Sequence, residues 1–280
     1  MSTNDAVIVE AIRTPVGVGK PGKGALSGIH PGDLGAHVLE NLVARAGVDP
    51  TLIDDVIWGT VSQVGEQGVN AARNTLLAAG LPESVPGTTV DRQCGSSQQA
   101  VHFAAAGLVA GHYDVVIAGG TESMSRVPMF SNAVGGDGPF PTRMLARYDN
   151  GLVGQGVSAE MIAEQWGFSR QHLDEIAVES HERAAAATDG GLFTEELLPV
   201  GDLATDEGIR RGTSLETLAG LRTVFQEDGV VTAGNASQIS DGSAALLMTT
   251  SAKAAELGLT PIARVHSVAV AGSDPIIMLT

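Results

Sequence analysis

The alternation of strand-like and helical runs is the feature that most constrains the fold of this chain. Runs rich in β-branched residues alternate with alanine-rich runs in which apolar residues recur every three or four positions. This spacing predicts strands at 6–9, 55–61, 88–90 and 114–120, and helices at 33–46, 70–79 and 96–110. A β-α-β-α order favours an α/β domain with a largely parallel sheet, because parallel strands need crossover helices.

The pattern breaks after residue 120 and returns only near residue 244. Glycines and prolines interrupt residues 131–150, which indicates a long irregular loop. Beyond this loop the sequence predicts two helices, a strand, a short helix and a strand-like run, at 158–166, 170–187, 244–249, 251–257 and 262–271. We therefore expect an insertion at 124–239, set into an α/β domain.

Composition and charge argue against several classes of protein. The chain has 32 acidic and 16 basic residues and a formal net charge of −16, which argues against a nucleic-acid partner. Its one cysteine forms no internal disulfide, and no metal site is expected. The acidic pairs 195–196 and 206–207 lack histidine partners, so a solvated face is predicted there. Because no signal peptide or membrane-spanning run is visible, we expect a cytoplasmic protein with no membrane partner.

Cys94 lies where a predicted strand turns into a predicted helix. The stretch 90–100 reads Val-Asp-Arg-Gln-Cys-Gly-Ser-Ser-Gln-Gln-Ala, and the helix that follows is almost entirely small or apolar, which predicts that it is buried. Free N–H groups at a helix N-terminus favour an anion, so the position suits a nucleophilic thiolate. A single cysteine is more often an inert core residue, and position alone leaves both interpretations open.

Two further segments have the small, polar composition of functional loops. Residues 119–125 read Gly-Gly-Thr-Glu-Ser-Met-Ser and follow a predicted strand, where α/β folds place binding loops. Residues 232–243 read Thr-Ala-Gly-Asn-Ala-Ser-Gln-Ile-Ser-Asp-Gly-Ser and precede another strand. An ordinary loop with an Asx-turn explains the second segment equally well.

Together these three segments resemble the motifs of the thiolase family, and Val9–Gly17 also matches. The resemblance runs through the whole chain in order. It implies a thiolase-like layered α/β fold: a mostly parallel mixed sheet covered by helices, with an inserted loop domain. The implied domains are an N-terminal half at 1–123 and 240–263, a CoA-binding loop domain at 124–239, and the beginning of a C-terminal half at 264–280.

The same resemblance implies acyl transfer between acyl-CoA and CoA through an acyl-cysteine on Cys94. The reaction is either thiolytic cleavage of a 3-ketoacyl-CoA or condensation to acetoacetyl-CoA. Coenzyme A and acyl-CoA are substrates, no cofactor is tightly bound, and a homodimer or homotetramer is implied. The implied contacts with CoA are made by Arg210, Leu221, Phe225, Ala233, Ser237 and Met278.

The chain also departs from the family pattern. Its seven histidines include none between Gly and Pro, and it has no second cysteine, although the family uses both in acid-base catalysis. We therefore expect a truncated enzyme, in which these 280 residues alone give no thiolase turnover.

Two other functions remain open. The first is a non-catalytic scaffold of thiolase ancestry that binds CoA or lipid. The second is a decarboxylating condensing synthase on the same superfamily fold, against which the segments 119–125 and 232–243 argue.

Overall fold

The computed structural model describes residues 5–148 and 151–280, which form two compact units. The first unit contains residues 5–132, 193–208 and 239–268. The second contains residues 133–148, 151–192, 209–238 and 269–280. The expected insertion at 124–239 and the expected C-terminal half beginning at 264 stay predictions, although residues 193–208 group with the first unit.

A seven-stranded sheet organises the first unit, in the order β4-β3-β5-β6-β1-β7, with β2 pairing beside β6. The strands are β1 Ala6–Arg13, β2 Gly17–Val18, β3 Asp55–Gly59, β4 Gly87–Val90, β5 Val115–Ser123, β6 Ser240–Thr250 and β7 Ala263–Arg264. Strand β3 pairs in parallel with β4 and β5, whereas β6 is antiparallel to β5, β1 and β2. Strands β1 to β5 therefore share one direction, and the predicted mostly parallel mixed sheet is confirmed.

Helices cover both faces of this sheet. Those of the first unit are α1 Pro31–Ala46, α2 Ala71–Ala78, α3 Ser96–Ala110 and α8 Ser251–Glu256. Alternate residues of β5 face opposite sides. Val115 and Ile117 pack in the cluster that contains residues of α1 and α2, whereas Val116 and Ala118 pack in the cluster that contains residues of α3. The layered α/β fold is thus confirmed.

Local sequence explains why α1 begins and ends where it does. Pro31 occupies the first turn, where its missing N–H removes no helical hydrogen bond. Gly47 ends the helix in the left-handed conformation (φ 66°), and its N–H donates to the Val43 carbonyl. Between them Leu34, Val38, Leu39 and Leu42 recur at helical spacing and are buried.

Helix α3 is not buried all round, contrary to the expectation. Ala100, Ala104 and Leu108 are fully packed, but Phe103 and Val109 are 47% and 56% exposed. The prediction failed because apolar composition gave no information on how many sheets pack against the helix. The prediction of a strand-like run at 262–271 was also wrong, since only the two residues of β7 pair there.

Three of the four acidic residues at 195–196 and 206–207 are anchors, namely Glu196, Asp206 and Glu207, whereas Glu195 is exposed as predicted. Arg13 of β1 donates a hydrogen bond to Glu196 at 2.7 Å and forms a bidentate ion pair with Asp206 at 2.7 and 3.1 Å. Its guanidinium also lies 5.3 Å from the centroid of the Phe193 ring. Glu207 accepts from the N–H of Val18 at 2.8 Å. These contacts hold residues 193–208 against the end of β1 and against β2.

The second unit contains four helices in its described part, namely α4 Thr142–Leu145, α5 Gln155–Trp166, α6 Arg170–Asp189 and α7 Leu215–Ala219. Ser169 caps α6 by accepting from the His172 N–H, a role for which serine is well suited. Glu160 of α5 is 4% exposed, and its carboxylate accepts from the N–H groups of Val230 and Val231, both at 2.8 Å. A buried carboxylate thus fixes the chain leading into the 232–243 segment.

The contact between Arg13 and Asp206 leads to a prediction about how the melting temperature depends on pH. Burial opposes ionisation of Asp206, but hydrogen bonds from Arg13 and the Val16 N–H outweigh it and hold the pKa of Asp206 below its ordinary value. A carboxyl whose pKa is depressed on folding contributes stability above its unfolded pKa and loses it as the pH falls towards the folded pKa. We expect Asp206→Asn to lower the melting temperature at neutral pH, with a difference from wild type that shrinks below about pH 4.

Thermal melts of Asp206→Asn across this pH range test the prediction. Asp202→Asn, an exposed change in the same segment, is the matched control and should leave the melting temperature unchanged. A gap between wild type and Asp206→Asn that stays constant with pH would contradict the assigned role of the carboxylate.

Candidate active site

Cys94 lies on an exposed turn between the end of β4 and the start of α3. Gly95 is the N-cap of α3 and contributes no side-chain cap, so the thiol sits just before the first helical turn. The predicted strand-turn-helix position of Cys94 is therefore observed. Its predicted role as nucleophile is a separate matter and stays a prediction.

Hydrogen bonds within the turn fix its backbone. The Gln93 N–H donates to the Asp91 carboxylate at 2.6 Å, and the Gly95 N–H donates to the Arg92 carbonyl at 3.1 Å. The Ser96 hydroxyl accepts from the Arg92 N–H at 3.0 Å and donates to the Gln93 carbonyl at 2.6 Å. Gln93 itself has φ 49°, which is uncommon for a residue with a side chain.

Two glycines let the start of α3 pack directly on the sheet. A Cβ on Gly59 at the end of β3 would lie 2.3 Å from the Ser97 nitrogen. A Cβ on Gly120 in β5 would lie 2.1 Å from Ser97 Oγ and 2.2 Å from the Gly59 carbonyl oxygen. Real Cβ atoms do not approach other atoms so closely. The glycines therefore set how near the helix start stands to the parallel strands.

The 119–125 segment ties neighbouring loops together through Glu122. Its carboxylate accepts from the N–H groups of Val61 and Ser62 at 2.8 and 3.2 Å, and from Gln67 Nε2 at 2.9 Å. Gln67 in turn accepts from the Ser123 N–H at 2.8 Å. This network makes Glu122 an anchor for the loop after β3, a role that its sequence motif did not reveal.

Asp241 anchors the end of the same segment. It is 1% exposed and accepts from the Ser125 N–H at 2.9 Å and from the Ser125 hydroxyl at 2.5 Å. Both partners belong to the segments singled out from the sequence, which the pairing of β5 with β6 brings together.

In the second unit, hydrogen bonds to α6 hold the 232–238 loop. Asn235 accepts from the Thr232 N–H at 2.8 Å, the Asx-turn that the sequence allowed, and donates to Asp174 at 2.9 Å. Asp174 is 2% exposed and also accepts from Arg170 at 2.8 Å. Asn235 is thus an anchor of this loop, and the exposed Ala233 and Ser237 lie on either side of it.

The six residues expected to contact CoA all belong to the second unit, whereas Cys94 belongs to the first. Leu221, Phe225 and Met278 are 37%, 43% and 39% exposed, which is high for such apolar side chains. The Phe225 ring lies against Gly156, where a Cβ would stand 2.2 Å from it. Leu221 packs beside Gly234 of the 232–238 loop.

Arg210 lines an open cleft of about 370 Å³ beside α6. Its backbone N–H donates to His181 Nδ1 at 3.2 Å. Next to it Arg211 pairs with Asp189 at 2.7 and 2.8 Å, and hydrogen bonding to Arg211 holds the pKa of Asp189 below its ordinary value. Sequence reasoning missed His181 and Arg211, because only the fold brings the end of α6 beside residues 210–213.

A match to a protein-family model shows to which family this chain belongs. The Thiolase, N-terminal domain model matches residues 6–252. The chain belongs to the thiolase family.

Relatives agree with this assignment. The steroid 3-ketoacyl-CoA thiolase of Mycobacterium tuberculosis is 44% identical over 99% of this chain and 69% of its own length. The 3-ketoacyl-CoA thiolase of Saccharophagus degradans is 43% identical over 99% of this chain and 72% of its own length. The crystal structure of the Bacillus anthracis acetyl-CoA acetyltransferase superimposes with a TM-score of 0.86 and 36% identity, over 98% of this chain and 73% of that one.

Among residues 5–148 and 151–280, no three His, Cys, Asp or Glu side chains come together as metal ligands would. Within the same described part of this thiolase-family chain, no helix has the length and apolar character needed to cross a bilayer.

The glycine contacts under α3 make a prediction about stability. We expect Gly120→Ala to destabilise the protein by about 1–3 kcal/mol, because the new methyl group must displace backbone and Ser97. Gly28→Ala is the matched control, since a Cβ there meets nothing within 4 Å. Urea unfolding of both variants measures the difference, and equal midpoints would show that the close approach carries no cost.

Proposed function

We propose that Cys94 is the nucleophile of a thiolase-type acyl transfer between acyl-CoA and CoA. The observation that carries the proposal is the exposed position of Cys94 on a fixed turn at the start of α3, in a chain of the thiolase family. The names of the relatives support 3-ketoacyl-CoA as the substrate class.

In the first half-reaction the Cys94 thiol gives up its proton and Sγ attacks the 3-keto carbon. The bond between C2 and C3 then breaks, and its electron pair goes to C2. That carbon takes up a proton and leaves as acetyl-CoA, while the shortened acyl group stays on Cys94 as a thioester. A thioester suits this step, because it divides a difficult reaction into two and keeps the acyl carbon reactive.

In the second half-reaction the thiol of CoA attacks the acyl-cysteine. The bond between the acyl carbon and Cys94 Sγ breaks, the shortened acyl-CoA leaves and Sγ regains a proton. The reverse sequence condenses two acetyl-CoA molecules into acetoacetyl-CoA. The backbone N–H of Cys94 is suited to stabilise the oxyanion of both tetrahedral intermediates, because it belongs to the residue whose Sγ is bonded to the reacting carbon.

The proton transfers need groups that these 280 residues do not supply in the family pattern. The sequence has one cysteine and no histidine between Gly and Pro. We therefore propose that a polypeptide of these residues alone gives no turnover, and an assay of acetoacetyl-CoA thiolysis tests this. Full CoA-dependent activity from such a polypeptide would contradict it.

For CoA we propose two contact regions on the second unit. The half-exposed Leu221, Phe225 and Met278, with Ala233 and Ser237 of the 232–238 loop, suit the pantetheine arm, which has apolar and amide parts. Arg210 and its cleft suit the phosphates of the nucleotide end, since a guanidinium forms charge-assisted hydrogen bonds with phosphate.

We also propose that the chain forms a homodimer or homotetramer. Strand β4 is one of the two outer strands of the sheet, and an unpaired strand edge is able to pair with another chain. Val69, on the loop before α2, is 91% exposed and would be covered in such a contact. Sedimentation as a monomer would contradict this.

The role of Cys94 is tested by alkylation, because the chain has no other cysteine. We expect iodoacetamide to modify Cys94 rapidly in the folded protein and acetyl-CoA to slow the modification, since the substrate covers the thiol. Intact mass measured over time gives both rates. CoA that binds without slowing alkylation would favour the non-catalytic scaffold, and absence of both binding and protection would exclude the proposal.

The role of Arg210 is tested by CoA binding. We expect Arg210→Ala to weaken the binding of CoA by about tenfold or more, because hydrogen bonds to charged groups contribute roughly 1.5–3 kcal/mol. Arg183→Ala on α6 is the matched control, as it removes the same charge from an exposed ion pair with Glu179. Calorimetric titration measures both affinities. An equal loss of affinity in the two variants would show that the effect comes from the change in net charge and not from a contact between Arg210 and CoA.

A further inference from the structure

We propose that Ser96 is a positioning residue for Cys94, whose hydroxyl locks the turn that presents the thiol. The inference rests on the proposed acyl-cysteine function. Ser96 is the first residue of α3 and is 4% exposed, so its hydroxyl faces the protein rather than the substrate side. Its role would therefore be exerted through the backbone on which Cys94 stands.

The Ser96 hydroxyl acts both as an acceptor and as a donor of hydrogen bonds within the turn at Cys94. It accepts from the Arg92 N–H at 3.0 Å and donates to the Gln93 carbonyl at 2.6 Å. Cys94 lies in the chain between these partners and Ser96. One hydroxyl thus links the two residues before the cysteine to the helix after it, and the N-cap Gly95 has no side chain that could do the same.

This link holds a backbone conformation that is unfavourable by itself. Gln93 has φ 49°, and a residue with a side chain persists there only where its surroundings hold it. The Asp91 carboxylate holds its N–H at 2.6 Å. The Ser96 hydroxyl and N–H hold its carbonyl at 2.6 and 3.0 Å.

Removal of the Ser96 hydroxyl would remove two of the hydrogen bonds that hold the turn. The Arg92 N–H would lose its acceptor, and the Gln93 carbonyl would keep only the longer of its two hydrogen bonds. The backbone of Gln93 would then relax towards an ordinary negative φ, which moves Cys94 and its thiol. A displacement of about 1 Å at a reacting group can cost up to about a hundredfold in rate.

Alkylation of Cys94 in the folded 280-residue chain measures this effect without requiring turnover. We expect Ser96→Ala to slow modification by iodoacetamide by about tenfold or more, because the thiol leaves its presented position. Gln98→Ala is the control, since Gln98 is an exposed residue on the first turn of α3, and it should react like wild type. All variants should react at one common rate in urea, where no turn exists.

A second pair of variants separates the hydroxyl from packing. Thr and Val have the same shape, so Ser96→Thr and Ser96→Val strain the site equally and differ only in the hydroxyl. We expect Ser96→Thr to keep most of the rate that Ser96→Val loses, at similar melting temperatures. Equal rates for this pair, or a Ser96→Ala rate equal to wild type, would overturn the positioning role.

Protection by acetyl-CoA keeps the two proposals distinguishable. If acetyl-CoA protects wild-type Cys94 but the hydroxyl has no effect, the positioning proposal fails and the acyl-cysteine proposal stands. If acetyl-CoA gives no protection, the acyl-cysteine proposal fails. The positioning proposal fails with it as a statement about catalysis, whatever the Thr and Val variants show about reactivity.

Discussion

The contact between the first residues of α3 and the backbone of two parallel strands is the constraint on which the candidate site depends. A helix of ordinary composition stands off a sheet by the length of its side chains. Here Gly59 and Gly120 remove the side chains on the strand side, so Ser97 lies directly against the sheet backbone. Because the turn at Cys94 enters α3 at this point, the height of the thiol above the sheet follows from these two glycines.

The polar residues of the motifs fall into two groups in the structure. Cys94 is exposed and sits on a turn that surrounding hydrogen bonds hold. Glu122, Asp241 and Asn235 act as anchors, each accepting from or donating to backbone or buried neighbours within its own unit. A motif in this family therefore combines residues that would meet substrate with residues that fix the loops around them.

Much of the fold could be predicted from the sequence, because its signals are local. Helix α1 was predicted from its apolar spacing and its closing glycine, and the strand-turn-helix at Cys94 from the change of pattern at residue 94. The anchors could not be predicted in this way. Arg13 and Asp206 are 193 positions apart in the chain, and only the folded backbone brings them together.

The failures have a common physical origin. Helix α3 was expected to be buried all round because its residues are small and apolar, yet composition does not tell how many surfaces cover a helix. The acidic pair at 206–207 was expected to be solvated because charge predicts exposure on average, yet Asp206 and Glu207 meet an arginine and backbone N–H groups. In the second unit, His181 and Arg210 meet only because α6 ends beside residues 210–213.

The place of β6 in the sheet has a consequence for how the chain folds as it is made. Strand β6 lies between β5 and β1, so the first strand synthesised has no neighbour on that side until residues 240–250 emerge. At ribosomal rates of about 5–20 residues per second, this wait is roughly 10–50 s. During it β1 exposes an apolar, unpaired edge, which makes the nascent chain a candidate for chaperone binding.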